Sequence, residues 1–235
     1  MAKLIVITGG SKGIGRALIR RFMQLDFDVI TCGRDENAFN EMKKDLIAEG
    51  FNNQLLFSQT DVSKKKECLE FIEFIKGFKR NVDVLVNNAG LFQPGSIESE
   101  EDGTLEYLLD TNVKSAYYIT RGLLPGFREN QTGHIFNMCS TASIIPYTNG
   151  GSYCISKFAL LGFSKVLREE MKEEGVRVTS ILPGATYTSS WEGVEIPEER
   201  FMKAEDVADI VASIYQLSKA TVVEDILLRP QLGDL

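Results

Sequence analysis

The chain has 235 residues, 43% of them hydrophobic and 25% charged, with a formal net charge of -7. This is ordinary composition for one globular domain, and it excludes disordered, collagenous and coiled-coil readings. The acidic balance argues against a nucleic-acid or anionic-membrane partner, and no apolar run approaches the ~20 residues needed to span a bilayer.

Short β-branched runs alternate with longer amphipathic stretches. KLIVIT, residues 3–8, reads as a strand, and 13–25 as a helix with Ile14, Leu18, Ile19, Phe22 and Leu25 on one face. A strand follows over 28–32, a helix over 36–49 ended by Gly50, a strand over 54–59 and a helix over 64–79. The fourth strand is predicted over 82–86, then a polar loop over 91–103 and a helix over 104–129 with a bend near Asn112. The remainder reads as a strand over 133–139, a helix over 150–174 ended by Gly175 and a strand over 176–182. An irregular insertion over 184–202, a helix over 204–219 and a strand over 225–229 complete the chain.

This alternation predicts an α/β fold: one Rossmann-like, doubly wound parallel sheet of about seven strands, with helices on both faces and right-handed crossovers. Residues 1–235 read as a single domain, within which 184–202 is the candidate substrate loop or lid.

The cysteines, at 32, 68, 139 and 154, form no CxxC and no metal-ligand spacing, so no metal site is expected. The apolar run after Met1-Ala2-Lys3 is too short for a signal sequence. A reduced, cytoplasmic protein is the expectation. Histidine-centred hydrolysis would have to use the single histidine, His134, and there is no GxSxG elbow. His134 reads as structural.

The first strand runs into Thr8-Gly9-Gly10-Ser11-Lys12-Gly13-Ile14-Gly15 and then a helix. Glycines at such a place permit a tight turn, close backbone approach to a pyrophosphate and close helix–strand packing, with the helix N-terminus facing the anion. The spacing is GxxxGxG. This loop resembles the cofactor loop of the short-chain dehydrogenase/reductase family, and further family motifs occur in order along nearly the whole chain. They are Asp61-Val62 after strand three, Asn87-Asn88-Ala89-Gly90 after strand four, Asn112, Ser140 at the end of strand five, Tyr153 and Lys157 as YxxxK, and Pro183-Gly184 with Thr188 as PGxxxT.

The resemblance implies an oxidoreductase acting on CH–OH or C=O groups. Positions i and i+4 share one helix face, so a lysine one turn from a tyrosine can stabilise its phenolate. A free tyrosine has a pKa of about 10, and a nearby cation lowers it. By resemblance Tyr153 is the general acid, Lys157 lowers its pKa and bonds the nicotinamide ribose, and Ser140 donates to the substrate carbonyl oxygen. Asn112 is implied to hold a water in the proton relay. The implied cofactor-binding residues are Gly9, Ser11, Lys12, Gly13, Ile14, Gly15, Arg34, Asp61, Val62, Asn88, Ala89, Gly90, Tyr153, Lys157, Pro183, Gly184, Thr186 and Thr188. Cys139 and Cys154 adjoin catalytic positions and read as small packing residues.

Gly33 stands where NAD-type members usually carry Asp, and Arg34 beside it suits a 2′-phosphate. Lys12 resembles a second basic position of NADP-type members. NADP(H) is therefore the expected cofactor. The competing acidic residue, Asp35, falls late in this pattern and could instead cap the next helix.

Specificity is expected from three loops. The first carries Leu91, Phe92 and Gln93, the second Ile145 and Tyr147, and the third is 184–202 with Trp191. Residues 183–191 and the tail 221–230 resemble bacterial sepiapterin-reductase-type members of the family, and the tail lacks the ending usual in 3-oxoacyl reductases. The implied substrate is a small-molecule carbonyl, a pterin side-chain ketone first, with Phe92, Ser140, Ile145, Tyr147, Tyr153 and Trp191 as substrate residues. A general ketone or diketone ranks second and a 3-oxoacyl thioester third. A non-catalytic NADP-binding redox sensor is the reading of another class. By resemblance the chain forms a homodimer or homotetramer, with an apolar face over 158–172 compatible with that.

Overall fold

The computed structural model describes residues 2–188, 193 and 195–235. Trp191, expected in the substrate loop, lies outside the described residues.

Seven strands form one parallel sheet: β1 (Lys3–Thr8), β2 (Phe27–Gly33), β3 (Leu55–Gln59), β4 (Val84–Asn87), β5 (Gly133–Met138), β6 (Val176–Pro183) and β7 (Asp225–Leu228). Their order is β3-β2-β1-β4-β5-β6-β7, with every neighbouring pair parallel. Parallel strands are covered on both faces, which explains why β1 and β4 read as continuous apolar runs. The helices are α1 (Gly13–Met23), α2 (Glu36–Ala48), α3 (Lys65–Gly77), α4 (Thr104–Leu109), α5 (Ser115–Asn130), α6 (Gly151–Met171) and α7 (Ala204–Gln216).

Alternation along the strands divides the core. Ile5, Ile7, Val29, Val84 and Val86 pack on one face with Leu18 and Phe22 of α1, Met42 of α2 and Val207 and Val211 of α7. Leu4, Val6, Ile30 and Leu85 face the other way, against Phe71 of α3, Ile119 and Phe127 of α5 and Leu167 of α6. Phe22 is fully buried and meets Phe27 edge-on at 5.2 Å, so Phe22→Ala should cost about 3–5 kcal/mol.

His134 is buried, stacked on Phe136 at 3.9 Å. Its Nε2 lies 2.8 Å from the Thr179 hydroxyl, which itself donates to the Val223 carbonyl. The ring must therefore carry its proton on Nε2. Burial, with Arg177 nearby, pushes its pKa down to about 2. It is a neutral core residue of β5, its ring held by Thr179 of β6.

The predicted bend near Asn112 is a π-helical turn, Asp110–Lys114, between α4 and α5. Of the 158–172 face, Leu160 and Leu167 are buried inside the chain, whereas Phe158 and Val166 remain exposed. No helix among the described residues is long and apolar enough to cross a membrane.

Candidate active site

Strand order reverses between β1 and β4, and a crevice opens there at the carboxyl ends of the strands. A cleft of about 820 Å³ occupies this place. Every expected cofactor residue lines it: Gly9, Ser11, Lys12, Gly13, Ile14, Gly15, Arg34, Asp61, Val62, Asn88, Ala89, Gly90, Tyr153, Lys157, Pro183, Gly184, Thr186 and Thr188. So do Phe92, Ser140, Ile145 and Tyr147 of the substrate set.

The glycine loop has the shape that a pyrophosphate requires. Gly9 and Gly13 adopt φ of +68° and +51°, which a side chain disfavours. A Cβ at Gly15 would collide with the Gly9 carbonyl oxygen. No side chain caps the N-terminus of α1, and its first residues, Gly13, Ile14 and Gly15, line the cleft. The loop is pinned from the next strand. The Thr8 hydroxyl accepts from the N–H groups of Asn88 and Ala89 at 3.0 and 2.9 Å, and the Asn88 amide donates to the carbonyls of Thr8 and Gly9.

Arg34 lies at the end of β2, where its guanidinium donates to the Tyr107 hydroxyl at 3.2 Å. No carboxylate among the described residues forms an ion pair with it. A Cβ at Gly33 would have no neighbour nearer than 3.6 Å, so the acidic residue of NAD-type members would fit sterically and is simply not encoded. Asp35 caps α2, accepting from Ala38 N–H at 3.0 Å, and pairs with Lys12 at 3.4 Å. That pair is exposed and weak. The residues present thus fit a dinucleotide with a 2′-phosphate. Asp61 lines the same cleft, its Oδ1 accepting from the Ser63 N–H and hydroxyl at 3.1 and 2.7 Å. Burial opposes its ionisation, but the Ser63 contacts, with Lys64 and Arg34 nearby, hold the carboxyl below its ordinary value.

Tyr153 and Lys157 both project from the first turns of α6 into the cleft. The Lys157 ammonium donates to the Met138 carbonyl at 2.9 Å and lies 5.8 Å from the Tyr153 ring centre. Lys157 is buried, which pushes its pKa down to about 8. Ser140 caps the short turn Thr141–Ser143, its Oγ accepting from Ala142 N–H at 3.1 Å. Its hydroxyl proton is then available to Tyr153. Burial pushes the Tyr153 phenol up, and the Ser140 hydrogen bond opposes this only in part. The net direction is the reverse of the lowered pKa implied by resemblance. The protein's own groups keep this phenol protonated. The Phe92 ring meets Tyr153 edge-on at 4.9 Å.

Asn112 is buried and does not line the cleft. Its Oδ1 accepts from Leu91 N–H at 2.7 Å, and its Nδ2 donates to the Leu91 carbonyl at 3.0 Å and the Ser156 hydroxyl at 2.9 Å. The side chain pins the substrate loop to α6. The 184–202 segment is tied at its base by Tyr187 N–H to Met202 O and Met202 N–H to Ala185 O, both 2.9 Å.

Sequence reasoning missed several residues that line the cleft, among them Tyr107, Thr111, Thr148, Asp234 and Leu235. None belongs to a motif. Only the amphipathic register of 104–109 hinted that a Tyr107 ring could leave the core face.

Residues 3–198 match the family model described as short chain dehydrogenase. The chain is 30% identical over 243 aligned residues to sepiapterin reductase of Chlorobaculum tepidum (strain ATCC 49652 / DSM 12025 / NBRC 103806 / TLS), covering 100% of this chain and 99% of that one. It is 34% identical to an NADP-dependent 3-hydroxy acid dehydrogenase of Escherichia coli (strain K12), covering 95% and 85% respectively. A metagenomic short-chain oxidoreductase solved in complex with NADP superposes with a TM-score of 0.85 at 28% identity, covering 98% of each chain.

Proposed function

We propose that this chain, which belongs to the short-chain dehydrogenase family, reduces a ketone on a small uncharged molecule, a pterin side-chain carbonyl first. In its coarser description it is an NADP(H)-dependent oxidoreductase. When bound, NADPH supplies the hydride.

The chain's own groups do the rest. Arg34 holds the 2′-phosphate, and the α1 N-terminus and glycine loop hold the pyrophosphate. Tyr153, kept protonated by burial, donates its proton to the substrate carbonyl oxygen. The Ser140 hydroxyl donates to the same oxygen as negative charge develops there. The Lys157 ammonium steadies the phenolate that results, while its bond to Met138 fixes where it stands.

The observation that carries the substrate class is the placement of charge. Among the described residues lining the cleft, the only cations are Lys12, Arg34 and Lys157. The first two lie at the 2′-phosphate end and the third beside the phenol. The substrate end, with Leu91, Phe92, Ile145, Tyr147 and Thr148, offers aromatic and aliphatic surface but no partner for a carboxylate. This favours an uncharged planar ketone over a hydroxy acid, and the end-to-end likeness to a sepiapterin reductase supports the same reading. A 3-hydroxy acid is the second reading, supported by the E. coli relative. A diketone or 3-oxoacyl thioester ranks below these, and a redox sensor lower still, because Ser140, Tyr153 and Lys157 share one cleft. Exposed Tyr117, Phe158 and Val166 support a homo-oligomer, and a cytoplasmic location accords with four free cysteines.

The test is NADPH oxidation with sepiapterin and a diketone panel, against NADP+ reduction with serine and other 3-hydroxy acids. The proposal expects kcat/KM for sepiapterin at least about tenfold above that for any hydroxy acid. The reverse order replaces the pterin reading with the hydroxy-acid one, and a saturating cofactor signal with no turnover on the whole panel selects the sensor.

A further inference from the structure

We infer that Glu100 is a positioning residue for the proton donor, acting as the missing N-cap of the helix that carries it. The N-cap position of α6 is Gly150, which has no side chain to satisfy the first-turn N–H groups. Glu100, 52 residues before Ser152, supplies it instead. Its Oε1 accepts from the Ser152 N–H at 2.8 Å, and its Oε2 accepts from the Ser152 hydroxyl. A carboxylate here also complements the positive end of the helix dipole.

The fit is close. A Cβ at Gly151 would collide with Glu100 Oε1, and one at Gly95 would lie 2.6 Å from Glu100 Cγ. Gly95 N–H donates to the Asn149 carbonyl at 2.9 Å, and Gly95 forms an isolated parallel bridge with Gly150. The 91–103 loop is thus strapped to the start of α6 from two sides. Tyr153 is the residue immediately after Ser152, and Phe92 on the same loop meets its ring. The strap therefore sets the distance between the substrate loop and the phenol. Glu100 is not among the described residues that line the cleft, so its contribution appears in the orientation of the proton donor.

This inference rests on the carbonyl-reduction reading of the same site. The variants are Glu100→Ala, which deletes both acceptors, and Glu100→Gln, which keeps an oxygen for the Ser152 N–H and offers an amide to its hydroxyl. Glu100→Ala should lower kcat by about fivefold or more while the NADPH Kd stays within about twofold, and Glu100→Gln should restore kcat to within about twofold of wild type. Hydrogen exchange supplies an arm that needs no turnover. In Glu100→Ala the amides of 150–154 lose protection, and in Glu100→Gln they keep it. A Glu100→Ala kcat within about twofold of wild type overturns the inference, as does a Glu100→Gln as slow as Glu100→Ala, or a parallel loss of NADPH binding. If the wild type turns over no carbonyl, the functional reading fails, and the exchange arm alone decides the strap: unchanged protection in Glu100→Ala overturns it.

Discussion

The Lys157 ammonium lies 5.8 Å from the centre of the Tyr153 ring, one turn along α6; the lysine is buried and the tyrosine half-buried. Burial acts on them in opposite directions, pushing Lys157 down to about 8 and Tyr153 up. Across the neutral range the phenol keeps its proton and the lysine keeps its charge. As pH rises through about 8 the ammonium is lost first. Carbonyl reduction should therefore hold level from about pH 6 and fall above about pH 8, approaching tenfold per unit. The measurement is kcat/KM for the carbonyl at saturating NADPH. A profile level to about pH 10 contradicts the assignment.

The same burial makes Lys157 a stability cost. A lysine whose folded pKa lies below its unfolded value destabilises the fold while it is charged, and the cost disappears as pH rises from about 8 to 10.5. At pH 7 the cost is on the order of 3 kcal/mol, offset in part by the bond to Met138, worth ~1–3 kcal/mol. Lys157→Met should reduce turnover by about a hundredfold or more, yet leave the thermal midpoint at pH 7 equal to or above that of the wild type. A midpoint lower by more than about 5 °C would show that the lysine is there for the fold.

Cofactor choice should yield to one atom group at Gly33. The space around its Cβ position admits a side chain, and a carboxylate there would repel a 2′-phosphate beside Arg34. Gly33→Asp should shift the NADPH/NADH ratio of kcat/KM toward NADH by about a hundredfold, and Arg34→Ala should weaken NADPH by about tenfold with little effect on NADH. Equal losses with both cofactors would place the effect in the loop fold instead.

The thiols should be inert. Cys32 and Cys139 are buried and pushed up to about 12, and Cys68 to about 11 by burial and the nearby Asp61 and Glu67 carboxylates. Native protein treated with iodoacetamide at neutral pH should keep full activity and show no adduct at these three positions by mass spectrometry. Rapid labelling of Cys139 with loss of turnover would contradict this burial.

Sequence alone located what depends on burial pattern and glycine geometry. β1 occupies residues 3–8 as expected because both of its faces are covered. β4 begins two residues later than expected, at Val84; just before it, the Asp83 carboxylate accepts from the Leu4 N–H at 2.8 Å. Apart from Asn87 and Asn112, the motif residues converge on one cleft because they lie at the carboxyl ends of strands or on the first turns of a helix. Contacts between polar residues far apart in the chain left no such trace. Arg34 with Tyr107 and Glu100 with Ser152 carry no periodicity, and Asp234 reaches the cleft only because the tail after β7 folds back over Gly184. Asn112 was legible as a position, but its bonds to Leu91 and Ser156 were not.

The central claim is that Tyr153 donates the proton and does little else. The most direct test compares Tyr153→Phe with wild type in two quantities, kcat for carbonyl reduction and Kd for NADPH. The phenylalanine keeps the edge contact with Phe92 and removes only the hydroxyl. Tyr153→Phe should lose about a hundredfold or more in kcat and keep its NADPH Kd within about threefold. A kcat within about threefold of wild type, with NADPH still bound, would contradict it.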